Sequence, residues 1–145
     1  MPAMRNTGVK RPSKMVCAAA ALSLVAGLIH AWAMPGHYRE WWGYGAFFLV
    51  VAIAQVVLSD ALLYRPRQRL FLVGVVGNLA LIALYVVTRS VGIPFFGPHA
   101  GEVEEVGAID LLSIVVELVL VITLVVLLRI RLANRPTMSS GTAPG

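Results

Sequence analysis

The chain has 145 residues, of which 59% are hydrophobic and only 13% charged. A soluble domain carries nearer a quarter charged residues. With a mean hydropathy of +0.82, too little polar material remains to clothe a soluble core, so the composition belongs to the membrane class. The net charge of +5 comes from short basic clusters beside apolar runs. No aromatic-interleaved basic face is available to grip a phosphate backbone, which argues against nucleic acid as a partner.

Residues 1–15 read as a basic tail containing Arg5, Lys10, Arg11 and Lys14. The first apolar run, residues 16–34, reaches the roughly 20 residues needed to cross about 30 Å of hydrocarbon. Within it Ser23, Gly27 and His30 share one helical face. Cys17 is the only cysteine, which excludes an intrachain disulfide, CxxC redox chemistry and a cysteine zinc site. It reads as a small apolar residue near a helix end, with reversible acylation as the alternative. The basic start, the apolar run and Ala31-Trp32-Ala33 also have the form of a signal peptide with an A-x-A cleavage site. The spanning length favours retention, and removal would leave three spans in the same orientation.

The next stretch, MPGHYREWWGYG, reads as the first outer connection. Trp32, Tyr38, Trp41, Trp42 and Tyr44 cluster around it as an interfacial aromatic belt. A second span follows at residues 44–63, with Gln55 and Ser59 spaced i, i+4. Asp60 lies close to Arg65 and reads as interfacial. The turn YRPRQRL carries Arg65, Arg67 and Arg69 into a third span at residues 70–88. There Asn78, Tyr85 and Arg89 fall within about 20° of one line along the helix. Gly74 and Gly77 flank that line and supply small-residue spacing for close helix approach.

The longest connection, TRSVGIPFFGPHAGEVEEVGAID, is interrupted by Gly92, Pro94, Gly97, Pro98, Gly101 and Gly107, which forbid a regular helix through much of it. IPFF is apolar enough to dip back into the interface and cover the outer mouth of the bundle. His99 with Glu102, Glu104 and Glu105 reads as a solvated acidic loop, with cation attraction as the sharper alternative. The fourth span, residues 109–128, contains IVVELVLVITLVV and so places Glu117 in a run otherwise suited to hydrocarbon. Asp110 and Glu117 are seven residues apart and share a face within about 20°, with Ser113 near the same stripe. Thr123 falls on the far side and can bond its own backbone. The remaining residues, 132–145, are small and polar and read as a disordered tail.

Four spans without period-2 alternation predict an all-α membrane protein, a four-transmembrane-helix up-and-down bundle over residues 16–131. Ten of the twelve Lys and Arg residues lie in the N-terminal tail, the YRPRQRL turn and the C-terminal end. The other two, Arg39 and Arg89, sit beside acidic residues in the remaining connections. By the positive-inside rule both termini are therefore expected in the cytoplasm of a multi-pass cell-membrane protein.

Thr88-Arg89, Gly92, Pro94, Gly97-Pro98, Gly101, Val106-Gly107, Asp110 and Glu117, together with EWWGYGAFFLVVAIAQ, resemble segments of small four-span bacterial integral membrane proteins. The resemblance covers about half the chain. It implies four spans and no particular activity.

A carboxylate at the bilayer centre costs about 2.5–3.5 kcal/mol on insertion scales, so Glu117 must face the bundle interior, be protonated or have a partner. Arg89 and His30 are the expected partners. Counted from the outer ends at about 1.5 Å per residue, His30 lies about 6 Å deep, Glu117 about 12 Å, and Gln55 and Asn78 about 16 Å. Each span thus contributes a polar residue to the outer half, which points to one shared site. Glu117, Arg89, Asn78, Gln55 and Tyr85 are the expected ligand-binding residues, and Glu117, His30 and Asp110 the candidate metal ligands. For Gln55 and Asn78 the plain alternative is interhelical hydrogen bonding.

The leading functional expectation is binding or movement of a cation, proton or small polar ligand. Because four spans are thin for a transporter, a homo-oligomer or a larger membrane complex is expected. The alternatives are a non-catalytic accessory subunit and a haem or quinone redox subunit. The only histidines are His30, His37 and His99, and His37 and His99 read as loop residues. That spacing argues against a buried bis-histidine haem, and no cofactor is identified. No GxSxG, HExxH or P-loop pattern supports soluble hydrolase or nucleotide chemistry.

Overall fold

The computed structural model describes residues 12–92 and 97–134. Arg5, Lys10, Arg11 and Arg135, the IPFF run at 93–96 and the tail at 135–145 lie outside the described residues. Among the described residues the regular structure is four α-helices and no strand: α1 (Lys14–Glu40), α2 (Trp42–Tyr64), α3 (Gln68–Ser90) and α4 (Ala108–Ala133). All four are long and apolar enough to cross a membrane.

Each helix begins and ends close to where its apolar run does, except at the end of α1. MPGHYREWWGYG is expected as a connection, yet α1 continues to Glu40 and α2 starts at Trp42, leaving Trp41 alone between them. Pro35 has no N–H to give the carbonyl of Ala31, but three contacts carry the helix past it. Arg39 Nε donates to the Pro35 carbonyl at 3.1 Å. The His37 ring stacks on Phe48 with centroids 4.1 Å apart. Tyr38 packs onto Gly45, where an added Cβ would stand 2.6 Å from the Tyr38 Cα. A side chain at Gly45 would therefore force the tight α1–α2 corner to shift.

The helices present narrow inward stripes and broad apolar outer faces. On α1 the buried residues are Val16, Ala19, Ala20, Ser23, Ala26, Gly27 and His30, the i, i+3, i+4 recurrence of one helix face. Small residues on this stripe let α1 lie close along α2, its most extensive partner. α4 packs against both α1 and α3, whereas α2 and α3 meet only sparsely. One apolar cluster gathers Val16, Ala19 and Ala20 of α1, Leu62 of α2, Phe71 of α3, and Leu120, Leu124 and Leu127 of α4. Gly74 faces this region: a Cβ there would sit 2.6 Å from Leu124 Cδ1, whereas Gly77 has nothing within 4 Å. Only the first of the two glycines therefore serves close approach. Outward, Val50, Val73, Val76 and Ile122 are each more than half exposed, a surface suited to a hydrocarbon surrounding.

Candidate functional site

The polar residues of the helix interiors fall into two separate groups. The first is a closed chain across α1, α2 and α3. The Ser23 hydroxyl lies 2.7 Å from the Gln55 backbone carbonyl and 2.8 Å from Gln55 Oε1, so its single proton serves one of them at a time. Gln55 Nε2 donates to Asn78 Oδ1 at 2.8 Å, and Asn78 Nδ2 donates to the Gly74 carbonyl at 2.7 Å. Ser59 Oγ donates to the Ala20 carbonyl at 2.8 Å, a second tie between α1 and α2. Gln55 and Asn78 are thus engaged with one another and line no part of the cavity described next. Their geometry is that of interhelical joints.

The second group surrounds Glu117. Its Oε1 lies 2.8 Å from His30 Nε2, joining α4 to α1, and accepts a longer bond of 3.4 Å from Ser113 Oγ. The Glu117 side chain is 1% exposed and that of His30 10%. Of the two expected partners of Glu117, His30 is the one it meets. Arg89 turns instead to the start of α4 and the loop before it. Its guanidinium bonds Glu104 and, at 2.7 Å, Asp110 Oδ2, and it lies over the Tyr85 ring at 4.8 Å. Asp110 Oδ2 also accepts from the Gly107 N–H at 3.3 Å, so this carboxylate caps the first turn of α4. Glu104 N–H donates to the Thr88 carbonyl at 3.1 Å, which fastens the loop to the end of α3.

His30, Glu117, Arg89, Tyr85 and Asp110 all line one cavity of about 530 Å³. Its walls are otherwise largely apolar, with Phe47 and Phe48 from α2, Leu81 and Leu84 from α3, and Ile114 from α4. Phe48 stands between two imidazoles, edge-on to His30 at 5.6 Å and stacked on His37. His99 and Glu102, 3.0 Å apart and both exposed, sit on the loop side of the cavity. Four of the lining residues keep a buried polar atom with no hydrogen-bond partner: His30 Nδ1, Tyr85 Oη, Arg89 Nε and Glu117 Oε2. A buried polar atom left unpaired costs about 1–3 kcal/mol. All four belong to residues that line this one cavity.

Of the residues expected to bind a ligand, Glu117, Arg89 and Tyr85 line this cavity; Gln55 and Asn78 do not. The three candidate metal ligands do not converge. His30 and Glu117 are paired, but Asp110 is held by Arg89 two turns along α4. Among the described residues no group of three or more His, Cys, Asp or Glu side chains is arranged to hold a metal ion. His37, which reads as a loop residue in the sequence, lies within α1, and both it and Phe48, to which the sequence assigns no role, line the cavity. His37 is i+7 from His30 and so on the same face, a signal hidden by taking Pro35-Gly36 as the end of the helix. Thr123 donates to the Val119 carbonyl at 2.8 Å, on the outer side of α4.

No protein-family model matches the chain, and neither a curated protein nor a solved structure matches it.

Proposed function

We propose that this is a small multi-pass membrane protein that binds a small polar or charged ligand, or exchanges a proton, in a cavity of the outer half of the bilayer. The hydrogen-bonded pair His30–Glu117 forms its polar floor. The observation that carries this reading is the set of four buried, unpartnered polar atoms contributed by residues around that single cavity.

The up-and-down arrangement is supported by which residues meet. His30 near the end of α1 lies by Phe48 near the start of α2, and Arg89 at the end of α3 pairs with Asp110 at the start of α4. Val16 and Phe71, from the opposite ends of α1 and α3, share the other cluster with Leu62 and Leu127. Lys and Arg flank that second end, which supports a cytoplasmic location for it and both termini, with the acidic loop and the cavity outside. Burial of a carboxyl among apolar helices supports a role beyond packing, because a neutral residue would fill the same space without the insertion cost.

Two substitutions test the role of the carboxyl. Glu117→Gln keeps an acceptor for His30 and is expected to fold while losing ligand- or proton-linked behaviour. Glu117→Leu removes the polar group altogether. A leucine variant that retains every co-purifying small molecule would show that the carboxyl has no ligand role. In that case the accessory-subunit reading would stand.

A further inference from the structure

The walls of the cavity say more about its occupant than polarity alone. Four carboxyl groups line it, Glu102, Glu104, Asp110 and Glu117, together with one guanidinium, Arg89, and three imidazoles, His30, His37 and His99. That guanidinium is already bonded to two of the four carboxyls. The other two carboxyls face imidazoles, Glu117 that of His30 and Glu102 that of His99; with the imidazoles counted as neutral, the formal charge of the lining is negative, which favours a cation over an anion. One carboxyl oxygen, Glu117 Oε2, is buried and unpartnered on a side chain that is 1% exposed.

The rest of the lining is aromatic and aliphatic. Phe47, Phe48, Tyr44 and Tyr85 come from α2 and α3, which meet only sparsely. Aromatic faces attract cations, most strongly where water is excluded, and apolar walls reward an apolar body. A bare inorganic cation would leave most of this surface unused, and no cluster of three ligating side chains is present among the described residues. A volume of about 530 Å³ falls in the range of pockets that enclose drug-sized molecules.

We propose that the ligand class of this cavity is the lipophilic organic cation, an ammonium or phosphonium carried on an apolar or aromatic body. Its charge is balanced by Glu117, and its body is held by Phe47 and the neighbouring rings. This rests on the cavity being a binding site, as proposed above, and specifies what enters it.

The test uses two ions of nearly the same shape and opposite charge, tetraphenylphosphonium and tetraphenylborate, titrated into purified full-length protein in lipid nanodiscs. Tetraphenylphosphonium is expected to bind saturably, with tetraphenylborate unable to compete. Glu117→Gln should raise the Kd for the cation at least about tenfold, the effect of losing one charge contact. Phe47→Leu, a milder change that does not touch the His30–Glu117 pair, should raise it about threefold. Wild type and both variants are checked for monodispersity and helicity first, so that a Glu117→Gln protein that fails to fold leaves the Phe47→Leu comparison to decide. Equal binding of both ions, or cation binding indifferent to both substitutions, would overturn the proposal as simple partition into detergent or lipid. Saturable binding of tetraphenylborate alone would overturn the cation class while leaving the cavity as a binding site. Absence of saturable binding by either ion would also overturn the class, and a native small molecule lost on Glu117→Gln would show the cavity reading still intact.

Discussion

His30 Nε2 and Glu117 Oε1 stand 2.8 Å apart, 87 residues distant in sequence, and close the contact between α1 and α4 inside the bundle. Neither residue has another strong side-chain bond: Ser113 reaches the same Glu117 oxygen only at 3.4 Å. The pair joins two helices and, on the function proposed above, also belongs to a site, and the two roles are separable by experiment. In a double-mutant cycle with His30→Ala and Glu117→Ala, unfolding in mixed micelles should give a coupling energy of about 1–3 kcal/mol. A coupling near zero would mean that the two side chains do not meet in the membrane.

Arg89 holds the start of α4 and the loop before it through Asp110 and Glu104. Replacing it by Gln removes both ion pairs but keeps a polar side chain at that position. The expected result is faster amide hydrogen exchange over residues 98–107, by about fivefold for a loss near 1 kcal/mol, with the middle of each helix unchanged. Exchange at wild-type rates in that loop would show that the backbone bond from Glu104 to Thr88 suffices.

The Ser23–Gln55–Asn78 chain joins three helices and is expected to act as a joint without a ligand role. Asn78→Leu leaves Gln55 Nε2 without its acceptor and should destabilise the protein by about 1–2 kcal/mol. It should leave ligand retention in the cavity unchanged, because neither Gln55 nor Asn78 lines that cavity. Thermal unfolding and small-molecule retention measured on the same preparation distinguish the two effects. Loss of the bound molecule at full stability would return both residues to the site.

Two glycines in the helices are predicted to respond in opposite directions. Gly77→Ala meets nothing within 4 Å and should stabilise α3 by up to about 1 kcal/mol through helix propensity. Gly45→Ala pushes a methyl group into Tyr38 and should cost about 1–3 kcal/mol as overpacking. Unfolding midpoints of the two variants against wild type check both signs.

Much of this arrangement was readable in the sequence because the membrane simplifies the problem. Apolar length marks the helices, and the few polar residues have to face inward. The i, i+7 spacing of Asp110 and Glu117 and the stripe Ser23, Gly27, His30 needed only helical geometry. Depth alone could not separate the two polar groups. Gln55 and Asn78 lie only a little deeper than Glu117 by rise per residue, yet hydrogen-bond pairing across α2 and α3 draws them into their own chain. The competition for Arg89 was also invisible. Two carboxylates at the start of α4 and in the loop before it, within reach of the end of α3, outcompete a single one deeper in the bundle. Pro35 misled most directly, because its missing N–H reads as a helix end, whereas stacking of His37 on Phe48 continues α1 and adds a second imidazole to the cavity wall.

The central claim is that the cavity beside His30 and Glu117 holds a ligand. Native mass spectrometry of the protein, purified in a mild detergent as wild type and as Glu117→Gln, measures this most directly. A small molecule is expected on the folded wild type and absent from an equally folded Glu117→Gln protein. The same bound species at the same occupancy in both, or none in either, would contradict the claim.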